Sequence, residues 1–198
     1  MIERTEMTSD ELIAAITEHG GANACASIKP NFVLSDAIVT GCDLEHLRLP
    51  AYTTFSNVSF YATETRKQGP SFAHADFRTA AFYGCTFGYG ADFTEANLEF
   101  TSFSSCCFWD CCFGGASLRN ATLLNCSLEG ADMAMCVLAG AEFIRVSLVD
   151  TKGLITIGPI GSRGGILRAV IFPSGWRVTT GCFEGDLEEF GQSINKTY

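Results

Sequence analysis

The sequence predicts an all-β solenoid, a chain that winds around one apolar interior, with a short helix before the coil and a small separate piece after it. Three observations carry this. From Ala91 to Leu148 the chain divides into blocks of five: ADFTE, ANLEF, TSFSS, CCFWD, CCFGG, ASLRN, ATLLN, CSLEG, ADMAM, CVLAG, AEFIR, VSL. The third residue of every block is Phe, Leu or Met, and the first is Ala, Cys, Thr or Val. Five residues advance a helix by roughly 140°, which scatters those large side chains around the axis. In a flat strand the same step reverses the side chain. Only a backbone that turns at each block keeps every third residue facing one interior, and stacked turns then bury it. The chain's 16 Phe fit this reading, because most of them occupy third positions.

The elements follow in order. Thr8 and Glu11 have the spacing of a capping box, Met7 and Leu12 can form a hydrophobic staple, and Leu12, Ile13 and Ile16 make one apolar stripe. His19-Gly20-Gly21 ends this helix. It is expected to cover the open coil end, which otherwise exposes Phe side chains and backbone edges. The repeat starts near Asn31 with Leu34, Val39, Leu44 and Leu49 inward, and a one-residue slip leads to Phe55 and Phe60. Tyr61–Gly69 breaks the pattern and reads as a loop ejected from a coil corner, carrying Glu64, Arg66 and Lys67. Register resumes at Phe72, Phe77, Phe82 and Phe87, and Gly88-Tyr89-Gly90 absorbs one extra residue before Phe93. Twenty-two blocks result. They make about five and a half coils, a rod of roughly 26 Å at a strand spacing of about 4.8 Å. One inward column should read Leu44, Phe72, Phe93, Phe113, Met133, and another Val39, Phe60, Phe87, Phe108, Leu128, Leu148. After Lys152, Ile166–Phe172 and Trp176–Thr180 read as a hairpin around Pro173-Ser174-Gly175, and Asp186 caps a helix containing Leu187 and Phe190.

The blocks resemble those of the pentapeptide-repeat family, A(D/N)Lxx, in Ala91-Asp92-Phe93, Ala96-Asn97-Leu98 and Ala131-Asp132-Met133. The resemblance covers roughly Asn31 to Lys152 and implies a right-handed quadrilateral β-helix, four blocks to a coil. The expected organisation is a capping helix in 1–30, the β-helix in 31–152, and a small α/β cap or dimerisation segment in 153–198. The run IGPIGSR…GCFEGDLEEF is similar to a segment of phage and bacterial hypothetical proteins, some with pentapeptide repeats, in which it continues further.

Composition narrows the function. With 13 basic and 22 acidic residues, the chain is a poor direct partner for nucleic-acid phosphate. No apolar stretch of about 18 residues is present and the start is polar, so neither a membrane span nor a secretory signal is expected. Ten cysteines then suggest reduced thiols in a cytoplasm. CCFWDCCF resembles a zinc cluster, but the register puts Cys106 and Cys111 inward and Cys107 and Cys112 outward. Thiolates on opposite sides of a wall cannot converge on one tetrahedral ion, so no metal or other cofactor is expected. Cys85, Cys106 and Cys126 fall in one column and read as small buried thiols, as do Cys42 and Cys136. His19, His46 and His74 have no matching nucleophile or metal spacing, and no catalytic motif is present.

Three functional readings remain. The first is a non-catalytic module that holds a protein partner through a flat face, the Tyr61–Gly69 loop or the terminal segment, which could also pair two chains. The second is DNA mimicry directed at a DNA-handling enzyme such as gyrase, as the resemblance to quinolone-resistance members of the family implies. Between Asn31 and Lys152 lie thirteen acidic and seven basic residues. Duplex DNA of that length carries about 15 charges. Arg48, Arg78, Arg119 and Arg145 are expected to interrupt a negative face. The third is an anion or nucleotide site in the terminal segment, at Ser162 and Arg163 within a glycine-rich turn and near Trp176.

Overall fold

The computed structural model describes residues 4–18, 32–62, 69–160, 165–180 and 183–197. Ten strands belong to the coil: β1 (Thr5–Thr8), β2 (Val33–Ser35), β3 (Ala37–Thr40), β4 (Thr54–Ser56), β5 (Ser59–Phe60), β6 (Ala81–Tyr83), β7 (Thr86–Phe87), β8 (Ser102–Ser104), β9 (Thr122–Leu124) and β10 (Glu142–Ile144). Four follow it: β11 (Leu154–Ile160), β12 (Gly165–Phe172), β13 (Gly175–Thr180) and β14 (Phe183–Asp186). The helices are α1 (Ser9–Glu18) and α2 (Leu187–Thr197).

The coil strands stack in parallel, each block on the one a coil later, and give four walls. The first wall is the sheet β10-β9-β8-β6-β4-β2, whose inward column is Leu34, Phe55, Phe82, Phe103, Leu123 and Phe143. The second contains Val39, Phe60 and Phe87 in register and continues through Thr86, Cys107, Ser127 and Ser147. On the third, Asp43, Ser71, Asp92, Cys112, Asp132 and Lys152 align outward; on the fourth, Arg48, Asp76, Asn97, Ser117 and Val137 do so. Both columns expected from the sequence are therefore present.

Phe makes the interior. Along the axis the rings stack with near-parallel planes: Phe72 on Phe93 at 4.8 Å, Phe93 on Phe113 at 5.0 Å, Phe87 on Phe108 at 4.8 Å and Phe82 on Phe103 at 5.0 Å. Between walls they meet edge to face, as Phe103 does Phe108 at 5.1 Å. Both geometries match the ring quadrupole, so each pair adds about 0.5–1.5 kcal/mol beyond its buried area. Where Thr replaces the small first residue, its hydroxyl is satisfied by a carbonyl: Thr53 donates to Pro50 O (2.7 Å) and Thr101 to Phe77 O (2.9 Å).

Each wall ends in a corner whose last residue has positive φ, 52–62° at the non-glycine positions. Gly, Asn and Asp tolerate that region best, which accounts for Asn57, Asp110, Asn120, Gly130 and Gly140 there. The Asp or Asn preceding the large residue braces the turn. Asp92 Oδ1 accepts from the Thr94 N–H at 2.8 Å, Asn97 Oδ1 from Glu99 at 3.1 Å, and Asp132 Oδ1 from Ala134 at 2.9 Å. The slips at Pro50–Tyr52 and Gly88–Gly90 are taken up in corners, leaving the walls in register.

Both ends differ from the sequence reading. The N-terminal piece is not a helix alone: β1 adds a parallel rung to the second wall, with Met7 opposite Val39. Thr8 then caps α1 as expected, its N–H donating to Glu11 Oε2 (2.7 Å) while its hydroxyl accepts from the Glu11 N–H (3.2 Å). Leu12 and Ile16 are buried in the core. His19-Gly20-Gly21 lies outside the described residues. At the other end the expected hairpin, β12 and β13, is the centre of a four-stranded antiparallel sheet, β11-β12-β13-β14. Of the two outer strands, β11, LITIGPI, holds four β-branched residues but is interrupted by Gly158-Pro159, and β14, FEGD, contains only one strand-favouring residue. Leu154, Val170 and Phe172 pack against the coil core, and the Met135 N–H donates to Ile171 O at 2.8 Å. Asp186 and Glu189 cap α2 reciprocally, at 2.8 and 2.9 Å.

Candidate functional surface

The walls sort the charges. Asp43, Asp92 and Asp132 stand on the third wall, with Glu45 and Glu95 along the corner after it and Asp110, Glu129 and Asp150 along the corner before it. Glu45 accepts from the Ser71 hydroxyl (2.9 Å) and Glu95 lies 3.2 Å from His74 Nδ1. The bracing bond uses only Oδ1 of Asp92 or Asp132. Among the described residues, Lys152 is the one Lys or Arg on this wall and its two corners, where it closes the ladder.

The arginines sit elsewhere, so the expectation that they interrupt a negative face is corrected. Arg48 is on the fourth wall, Arg78 and Arg119 on the corner after it, and Arg145 on the corner after the first wall. Two of them also face acids of the fourth wall and its corner. Arg78 reaches Asp76 through Nε (2.9 Å) and Nη2 (2.7 Å), and Arg119 lies 4.0 Å from Glu99. Burial alone would raise the Asp76 pKa, but the hydrogen bonds from Arg78 outweigh it and hold the carboxyl below its ordinary value.

The corner before the acidic wall is also aromatic. Tyr61, Tyr89 and Trp109 project there, Tyr89 at 73 % exposure. The Tyr89 hydroxyl hydrogen-bonds Asp110, and this bond raises the phenol above its ordinary pKa. Stepping block by block by coil length could have found this edge. The slips around residues 50–52 and 88–90 and the excursion after Tyr61 hide that period.

Of the sequence-derived binding candidates, Glu64, Arg66, Lys67, Ser162 and Arg163 lie outside the described residues. Trp176 is half-buried on β13 opposite Ile171, on the sheet face away from the coil-facing Val170 and Arg177. His46 and His74 occupy corners with their rings stacked at 4.9 Å. The cysteines divide as the register requires: Cys106 and Cys111 are buried, and Cys107 and Cys112 are half-exposed. Burial pushes the Cys42 and Cys111 thiols up to about 12. Hydrogen bonds to Cys126 and Cys85, together with burial, raise Cys106 as well. No His, Cys, Asp and Glu grouping able to hold a metal occurs among the described residues, and none of their helices is long and apolar enough to cross a membrane.

A family model described as pentapeptide repeats matches residues 72–110 and 111–148, in eight copies. A search of curated proteins finds no match. Among solved structures, the chain is similar to full-length QnrB1, a plasmid-mediated fluoroquinolone resistance protein, at 17 % identity and a TM-score of 0.41, covering 62 % of this chain and 71 % of that one. It is also similar to a pentapeptide repeat protein of the Arabidopsis thaliana thylakoid lumen, at 22 % identity and a TM-score of 0.37, over 50 % of this chain and 60 % of that one. Rfr23 from the cyanobacterium Cyanothece is a third, at 21 % identity and a TM-score of 0.28, over 58 % and 90 %. Residues 72–148 of this chain therefore carry pentapeptide repeats.

Proposed function

We propose that this protein is a non-catalytic interaction module: a rigid right-handed quadrilateral rod that presents its acidic third wall and aromatic corner to a basic protein partner. The observation that supports this reading most is the segregation of charge. Opposite potentials steer encounter and fix register, and exposed Tyr and Trp supply contact area at little entropy cost. The free thiols fit a reducing cytoplasm, and the phage or bacterial origin implied by the terminal segment fits a small protein acting on a host enzyme. The test is affinity capture from the native host with the whole chain, against Asp92→Lys/Asp110→Lys/Asp132→Lys and, as control, Arg78→Glu on the far corner. A partner retained by the wild type and the control but lost by the triple variant supports the reading; equal retention by all three overturns it.

DNA mimicry is the second reading, favoured by the same acidic wall. Eight carboxylates along a rod of roughly 26 Å amount to about half the charge of duplex DNA, which makes it the weaker of the two. DNA gyrase supercoiling measured with and without micromolar protein separates them: protection or inhibition selects mimicry, and no effect removes it. A homodimer paired through the C-terminal sheet is compatible with both, and sedimentation of the whole chain tests it.

A further inference from the structure

Between the last coil and the C-terminal sheet lies a cleft of about 510 Å³ lined by Leu138, Phe143, Ile144, Ile166, Arg168 and Thr179. A smaller cavity of about 240 Å³ shares Phe143, Ile166 and Arg168 with it and adds Arg145. Arg168 and Thr179 are directly paired across β12 and β13, so both project from the coil-facing side of the sheet. The Arg168 guanidinium lies over the Phe143 ring, 5.0 Å from its centre. Its Nε is buried without a hydrogen-bond partner among the described residues, and so is Thr179 Oγ1. Two adjacent, desolvated polar atoms without partners are unusual, because each such group is costly to bury. No described carboxylate lies within ion-pair distance of Arg168, although Glu142 lines the cleft.

We propose that this cleft binds a small organic anion, a carboxylate or phosphate on an apolar body, with the anionic oxygens on Arg168 and Thr179 and the apolar body against Leu138, Ile144 and Ile166. A guanidinium edge matches the two oxygens of either group, and a hydroxyl beside it adds a third donor. The volume lies within the range of small-molecule sites, and an apolar lining with a few convergent polar groups is their usual composition. The proposal relocates anion binding from the glycine-rich turn to the junction of coil and sheet. It does not depend on the interaction surface, which lies on other residues.

Isothermal titration of the whole chain with sodium octanoate, octyl phosphate and inorganic phosphate tests it. Octanoate or octyl phosphate should bind and raise the melting temperature, and their order identifies the head group. Inorganic phosphate should bind at least tenfold more weakly because it leaves the apolar wall uncovered. Arg168→Met keeps the stem over Phe143 and removes the charge, and should weaken binding at least tenfold. Glu142→Gln, at an exposed position, should tighten binding severalfold by removing a like charge from the cleft. Absence of binding by all three probes at millimolar concentration overturns the proposal, as does equal affinity in a folded Arg168→Met. If Arg168→Met does not fold, unchanged affinity in Glu142→Gln overturns it.

Discussion

Phe87 is the most connected ring of the coil, and truncating it tests the packing argument most severely. It is fully buried and stacks on Phe60 at 5.4 Å and on Phe108 at 4.8 Å. It also meets Phe72, Phe82, Phe93 and Phe103 edge to face at 5.1–6.3 Å. Buried Phe→Ala changes cost about 3–5 kcal/mol, with the larger values where the surroundings cannot close on the cavity. Here they cannot: β7 is bonded to β5, the next coil holds its other side, and six rings already occupy the adjacent space. Phe87→Ala should therefore lose about 4–5 kcal/mol in urea unfolding followed by far-ultraviolet circular dichroism, read as a fall in midpoint at constant slope. Phe87→Leu should lose only about 1.5 kcal/mol, because Leu128 already fills an equivalent place in the same column. Leu148→Ala, at the half-buried coil end, should lose less than Phe87→Ala. A loss below about 2 kcal/mol at Phe87, or a larger one at Leu148, would refute the view of the interior as a rigid ring stack.

Two further outcomes are expected. Gly153, at φ 70°, joins the last coil to the sheet, and an added Cβ would stand 2.6 Å from the Ala134 backbone nitrogen and 2.7 Å from its Cα; Gly153→Ala should cost more than about 2 kcal/mol by the same unfolding assay, since backbone rather than a pliable side chain blocks it. The buried Cys42 and Cys111 thiols, pushed up to about 12 by burial, hold their protons more tightly in the folded chain than in the unfolded one. Their contribution is complete below pH 9 and is lost as pH rises from there toward 12, by about 1.4 kcal/mol per unit for each thiol. Urea titrations between pH 7 and 11 should show this decline, and a Cys42→Ala/Cys111→Ala variant should make it shallower, the other buried thiols Cys106 and Cys136 keeping a share; an unchanged slope would count against burial as the cause.

Much of the coil was legible because its determinant is local and periodic. Five-residue spacing places Phe93, Leu98, Phe103 and Phe108 inward wherever the backbone turns at each block, and the same spacing separates Cys106 from Cys107. The ends were less legible. Nothing local in TEMT distinguishes a rung from a loop; β1 exists because an open second wall offers Ala37–Thr40 as a template. Likewise β14 forms because β13 presents an unpaired edge. Of the candidate site, the net acidity could be read from composition, whereas its arrangement could not.

The amino-acid sequence by itself determined the coil, its inward columns and the side of the wall each cysteine occupies, because those depend on neighbours five residues apart. Only the tertiary structure decided which charges share a wall, since residues a coil or more apart meet there after slips and a loop of unequal length. It alone paired Arg168 with Thr179 and set Arg168 over Phe143, because strand pairing and docking of the sheet on the coil place them, and no spacing in the chain encodes either.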